Sequence, residues 1–279
     1  LARFWQAIGE LDRLSPFPRM PWDRLFGRWN LDQNAGWIAF DIATRLFSPY
    51  QTNPLHWNPV AEGLDATGDL DALPPPGAPA LYVSATSART GEIRVFTREE
   101  VTRDVLLASA CLPFLHQAVR IDGEPYWDGG YMGNPAIFPF LHATEAEDVL
   151  VVQINPVTRP TTPRSSAEII NRLNEITFNS ALISELRTMD FVNKLIDDGR
   201  LPRGTGKNQY RRLNIHRIDL GALGVRLAAS SKLKTDYDFF ELLHRAGRRA
   251  ARKFLDAHFD DIGKTSTIDL AAESGVEWA

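Results

Sequence analysis

The chain has 279 residues, 44% hydrophobic, 24% charged and 10% aromatic. That composition can fill a sizeable core and excludes disorder over most of the length. The longest apolar runs, such as 149–152, fall far short of the ~20 residues that a spanning helix needs. A formal charge of −4 excludes a general attraction for nucleic acid, and a single cysteine, Cys111, excludes an internal disulfide or a zinc site built on several thiolates. A soluble, cytoplasmic protein is expected.

Leu1, Phe4, Trp5, Ile8 and Leu11 recur at helical spacing with no capping residue ahead of them. The chain is therefore expected to open inside a helix and to have lost a folded upstream portion. Apolar positions from Trp37 to Leu46 predict a helix over 36–47, and Asn58-Pro59 caps and starts a short one over 60–64. Leu81 to Ser87 and Glu92 to Phe96 read as strands joined by turn chemistry at 88–91. Thr97 and Glu100 make a capping box, and Phe96 and Val101 a staple, for a helix to about Ala110. Val119 to Trp127 folds back around Asp122-Gly123 as a hairpin.

Residues 148–155 are apolar on both alternations, which predicts a central buried strand. A proline-rich linker at 156–166 follows, and Ser165 with Glu168 caps a helix whose apolar stripe runs from Ile169 to Leu195. Tyr210 to Leu220 alternates like a strand. Thr235 is expected to cap the last long helix, with Phe239, Leu242, Ala246, Ala250 and Phe254 inward. Strands mixed with helices place the chain in the α/β class, with a mostly helical part after the linker.

Chemistry concentrates between Ala108 and Pro135. Asp128 ends an extended segment and is followed by Gly129 and Gly130, which allow positive φ and let another backbone come close. A carboxylate so placed suits a general base held near a nucleophile, and it also suits an ordinary turn aspartate. His56, His116, His142, His216, His244 and His258 offer no i, i+4 metal pair and read as packing or surface residues. Arg200, Arg203, Lys207, Arg211, Arg212 and Arg217 read either as a lipid-headgroup patch or as a solvated basic loop. Arg245, Arg248, Arg249, Arg252 and Lys253 form the outer face of the last helix. Cys111 reads as inert packing.

The small-residue run Ala108-Ser109-Ala110, the break at Pro113, the Asp-Gly hairpin, Asp128-Gly129-Gly130 and Asn134-Pro135 together resemble the patatin-like phospholipase family, in a bacterial branch. The resemblance covers about 78–157 well. It implies an α/β three-layer sandwich with a mainly parallel core sheet: an incomplete catalytic core over 1–157 and a helical extension packed on it over 158–279. It implies a lipid acyl hydrolase or esterase with a Ser–Asp dyad, Asp128 as base, Gly129 and Gly130 in a structural role, and no metal or organic cofactor. The family's nucleophile sits in G-x-S-x-G, and no serine here has glycines at both positions. An N-terminal fragment of the same protein is therefore expected to supply the serine and the oxyanion hole. Phe114, Leu115, Phe138 and Phe140 flank the motif and are the candidates for acyl contact. The implied partners are a lipid or ester substrate and, peripherally, a membrane. A non-catalytic acyl-binding or regulatory member of the same fold is the alternative. A histidine- and carboxylate-based metallohydrolase has the least support in the sequence.

Overall fold

A computed structural model describes residues 1–15, 17, 19, 23, 26–27, 29–32, 34–68, 77–137, 145–204 and 209–274. They divide into two compact units: one of 1–132, 165–171 and 227–244, the other of 133–164, 172–226 and 245–279. Both units draw on stretches from either side of residue 157.

In the first unit, helix α1 (Ala2–Glu10) lies against α3 (Pro59–Asp65). Gly63 makes that approach possible, since a Cβ there would sit 2.8 Å from Phe4 and Ile8 side-chain carbons. Asn58 caps α3 by accepting from the Val60 N–H, and Asn34 caps α2 (Ala35–Leu46) by accepting from Trp37. Strands β1 (Tyr82–Ser87) and β2 (Ile93–Thr97) form one hairpin, and β3 (Val119–Ile121) with β4 (Glu124–Asp128) the other. Asp122 and Gly123 turn the second hairpin at φ 52° and 83°, the left-handed pair that a two-residue turn requires.

The four strands lie in the order β2-β1-β4-β3, antiparallel throughout. Val83, Ala85, Phe96 and Tyr126 of the sheet pack with Val105 and Ala108 of α4 (Arg103–Ser109). The capping box of Thr97 and Glu100 forms as expected, but it closes only a 3₁₀ turn at Arg98–Glu100. The chain then extends at Val101 and Thr102, and α4 starts afresh under Thr102, whose side chain accepts from Val105 N. A second cap five residues after the first splits the expected helix in two.

In the second unit, β5 (Asp148–Gln153) pairs in parallel with β6 (Asn214–Asp219), from Asp148 opposite Asn214 to Gln153 opposite Asp219. Helix α5 (Ser166–Asp197) lies between them in sequence, and its Leu182, Leu186 and Met189 pack with Val149, Val151, Leu213 and Ile215. The expected mainly parallel sheet is thus corrected. Tight turns make the β1–β2 and β3–β4 pairs antiparallel, and β1 and β4 also pair antiparallel. Among the strands of the described residues, β5 and β6 alone pair in parallel, across a long helical crossover.

The expected central strand at 148–155 is corrected too. Val149, Val151 and Gln153 are buried, whereas Leu150 and Val152 are 48% and 70% exposed. Helix α6 (Tyr237–His258) is capped by Asp236, whose carboxylate accepts from Asp238 N at 3.0 Å. Thr235, the expected cap, instead donates its hydroxyl to Asp12 at 2.9 Å. Phe239, Ala246 and Phe254 are buried as the pattern predicted.

His216 is a satisfied core histidine of this second unit. Its Nε2 is 2.9 Å from Asp148 Oδ1 and its Nδ1 is 3.2 Å from Thr267 Oγ1. Asp148 Oδ1 also accepts from Gly263 N at 2.9 Å and from Asn214 Nδ2 at 3.3 Å. Burial pushes the Asp148 carboxyl up, but these hydrogen bonds and the nearby imidazole together hold it below the ordinary value. A lowered folded pKa means stability that is present above the unfolded pKa and lost as pH falls through the folded one. Asp148→Asn is therefore expected to cost about 1–2 kcal/mol at pH 7. Urea titrations of both proteins should show that gap closing below about pH 4. A gap that stays constant to pH 3 would show that the charge plays no part.

Candidate active site

Asp128 is the last residue of β4, and its backbone is held on three sides. It lies opposite Ala85 of the central strand β1. Its N–H donates to the Cys111 carbonyl at 2.9 Å, just past the end of α4. Its own carbonyl accepts from Thr86 Oγ1 at 2.9 Å. The sheet and the helix end therefore fix the Cα, and the side chain is positioned by rigid elements.

The carboxylate caps a short 3₁₀ turn, Gly129–Tyr131. Oδ1 accepts from Gly130 N at 2.7 Å, and Oδ2 has no hydrogen bond among the described residues. Burial pushes the Asp128 carboxyl above its ordinary value, while the Gly130 N–H and the charge of Lys232 pull the other way and are outweighed. A half-buried carboxylate with one oxygen held and the other open can accept a proton from a group brought to it.

Gly129 explains why the motif needs its glycine. A Cβ there would lie 2.2 Å from the Ser84 carbonyl oxygen and 2.4 Å from Ser84 Oγ. The sequence allowed either a positive φ or a close backbone approach. The structure selects the approach, since neither Gly129 nor Gly130 has positive φ. The turn is thus pressed onto β1 as closely as two backbones can come.

Around this turn, Tyr131 is half-buried, and burial followed by the Asp128 charge raises its phenol. The Cys111 thiol is pushed up to about 11 by burial, and its Sγ faces the Gln117 carbonyl at 3.2 Å, so it is a packing residue. Lys232, from the 3₁₀ turn Ala229–Leu233, adds a positive charge near Asp128. Nothing in the sequence marked Lys232 or Ser84, because each is a common residue far along the chain from the motif.

A cavity of about 450 Å³ in the same unit is lined by Tyr50, His56, Arg103, Asp104, His116 and Gln117, among others. Asp128 is not one of its lining residues, nor are Phe114 and Leu115. Phe114 is largely exposed and Leu115 half-buried, while Phe138 and Phe140 lie outside the described residues. His116 turns its buried Nδ1 where no partner reaches it among the described residues, and burial lowers its pKa. Among the described residues, no three His, Cys, Asp or Glu side chains converge as a metal site would. No described helix is long and apolar enough to cross a membrane.

Several cations of the basic 200–217 stretch in the second unit pair with acids. Arg203 pairs with Glu147, Arg212 with Asp197, and Arg217 with Glu273. Arg200 lies 3.9 Å from Asp198, and Lys207 is outside the described residues. Those pairs favour the solvated-loop reading over a headgroup patch.

Residues 21–143 match the family model for patatin-like phospholipase. That span contains the whole turn from Asp128 to Gly130 and the Asn134-Pro135 that follows it. No curated protein matches the chain.

Proposed function

We propose that the patatin-like phospholipase domain at 21–143 makes this chain the part of a lipid acyl hydrolase that carries the general base, Asp128. The observation behind this reading is the Asp128 carboxylate itself. It is fixed by β1, α4 and Gly130, raised by burial, and without a hydrogen bond to Oδ2 among the described residues. In the proposed reaction, a serine hydroxyl gives its proton to Oδ2 as its oxygen attacks the ester carbonyl. The tetrahedral intermediate collapses to an acyl-enzyme as Asp128 returns the proton to the leaving alcohol. Water then attacks the acyl group as it gives a proton to Asp128, and Asp128 returns that proton to the serine oxygen as the acid departs.

The serine and the oxyanion donors come, in this reading, from a polypeptide segment outside these residues, since no G-x-S-x-G occurs among the 279. A fluorophosphonate probe tests it. The chain alone is expected to stay unlabelled, and the protein expressed together with the upstream coding sequence is expected to label on one serine within G-x-S-x-G. Mass spectrometry of the peptides locates the adduct. A labelled serine inside this chain would overturn the external nucleophile. No label in either sample would favour the acyl-binding alternative.

A further inference from the structure

We propose that the outer face of α6 in the second unit is a docking surface for an anionic lipid bilayer. Five cations and no acid lie between Arg245 and Lys253. Arg248, Arg249, Arg252 and Lys253 are all exposed, and none makes an ion pair or hydrogen bond among the described residues. Their spacing sets Arg248 beside Arg252 and Arg249 beside Lys253 at i, i+4, where like charges repel by a few tenths of a kcal/mol per pair. Dipole stabilisation does not offset this, because it reaches only the last turn of a helix that ends at His258. The same unit holds the contrast: Arg203, Arg212 and Arg217 pair with Glu147, Asp197 and Glu273.

Apolar side chains continue the basic face. Leu255, Phe259 and Ile262 follow along the helix end and the 3₁₀ turn Phe259–Asp261, exposed by 45%, 67% and 41%. Arg249, Arg252 and Lys253 line a shallow depression of about 400 Å³ together with Asp256. Cations that meet headgroups, next to an aromatic and two aliphatic side chains that enter the acyl boundary, are the two halves of an interfacial anchor. Nucleic acid would use the charges and leave the apolar half without a role, and a chain at −4 overall adds no attraction for it. Asp256, Asp260 and Asp261 lie among the apolar residues and moderate the charge, Asp261 being 2.9 Å from His258 Nδ1.

Co-sedimentation of the protein with vesicles tests the assignment and requires no turnover, so it stands or falls apart from the role of Asp128. Binding is expected to vesicles of phosphatidylcholine with 30% phosphatidylglycerol, and little to phosphatidylcholine alone. Each neutralised cation is expected to weaken partitioning about 5-fold, so Arg248→Gln/Arg252→Gln/Lys253→Gln should weaken it on the order of 100-fold. Phe259→Ala should weaken it about 10-fold and leave its salt dependence unchanged. All four side chains are exposed, and circular dichroism checks that the variants fold. Equal binding to both vesicle types, or wild-type binding by the triple variant, would overturn the proposal. So would single-stranded DNA competing for the wild-type protein as well as anionic vesicles do.

Discussion

Gly129→Ala is expected to destabilise the first unit by about 3 kcal/mol, the upper end for overpacking a close-fitted interior. The reason is what the added methyl would meet. Its two nearest contacts, at 2.2 and 2.4 Å, are both on Ser84, and the closer one is a backbone oxygen. Ser84 belongs to β1, which is hydrogen-bonded to β2 on one side and β4 on the other. A rotamer change cannot relieve a clash with a backbone oxygen, so either β1 or the turn after Asp128 must move. Gly247→Ala is the matched control, since a Cβ at that helical position meets nothing within 4 Å. It should stabilise the protein by roughly 0.5–1 kcal/mol through helix propensity. Urea midpoints of the two variants should therefore move in opposite directions. A Gly129→Ala protein as stable as wild type would show that the turn is not pressed onto β1.

The features that could be read in advance were those whose determinants are neighbours in sequence. The Asp122-Gly123 turn, the Asn58 cap and the Ser165–Glu168 capping box each need only three or four adjacent residues, and each forms. The Thr97–Glu100 box also forms, yet it does not start a long helix, because Thr102 competes with a cap of its own. Local signals show that a helix can begin and do not show which of two beginnings prevails.

The burial of β5 was out of reach for a different reason. The apolar run at 148–153 carries the composition of a strand covered on both faces, but one face of β5 is largely exposed. Burial depends on what lies against a strand, which periodicity does not record. At the site, the motif placed Asp128 and its glycines correctly at a strand end. The partners that set the character of the carboxylate lie elsewhere in the chain: Cys111, Thr86, Ser84 and Lys232. Only tertiary structure brings them together.

Asp128→Asn is expected to lower ester turnover by 10²- to 10⁴-fold, the usual contribution of a positioned general base, when measured on protein that carries the nucleophile. Asparagine keeps the shape of the side chain and an oxygen to accept from Gly130 N, but it cannot take a proton from serine. The effect should fall on kcat more than on KM, because the proton moves only on the way to the transition state. Stability should change in the opposite sense. Burial raises the Asp128 carboxyl in the folded protein, so the folded state holds its proton more tightly than the unfolded chain does. Ionisation at neutral pH then weakens folding, and the weakening disappears as pH falls towards the unfolded value near 4. The asparagine variant should accordingly be at least as stable as wild type at pH 7, and the difference should vanish below about pH 4. The same raised pKa places the acid limb of the wild-type kcat/KM profile above that of an ordinary aspartate, and the variant should lack that limb. An aspartate that merely shaped the turn would behave otherwise: asparagine still accepts from Gly130 N, so its replacement would leave turnover in place. Measuring both quantities on one variant separates a base from a turn residue, because only the loss of a base lowers turnover in a protein that stays as stable as wild type.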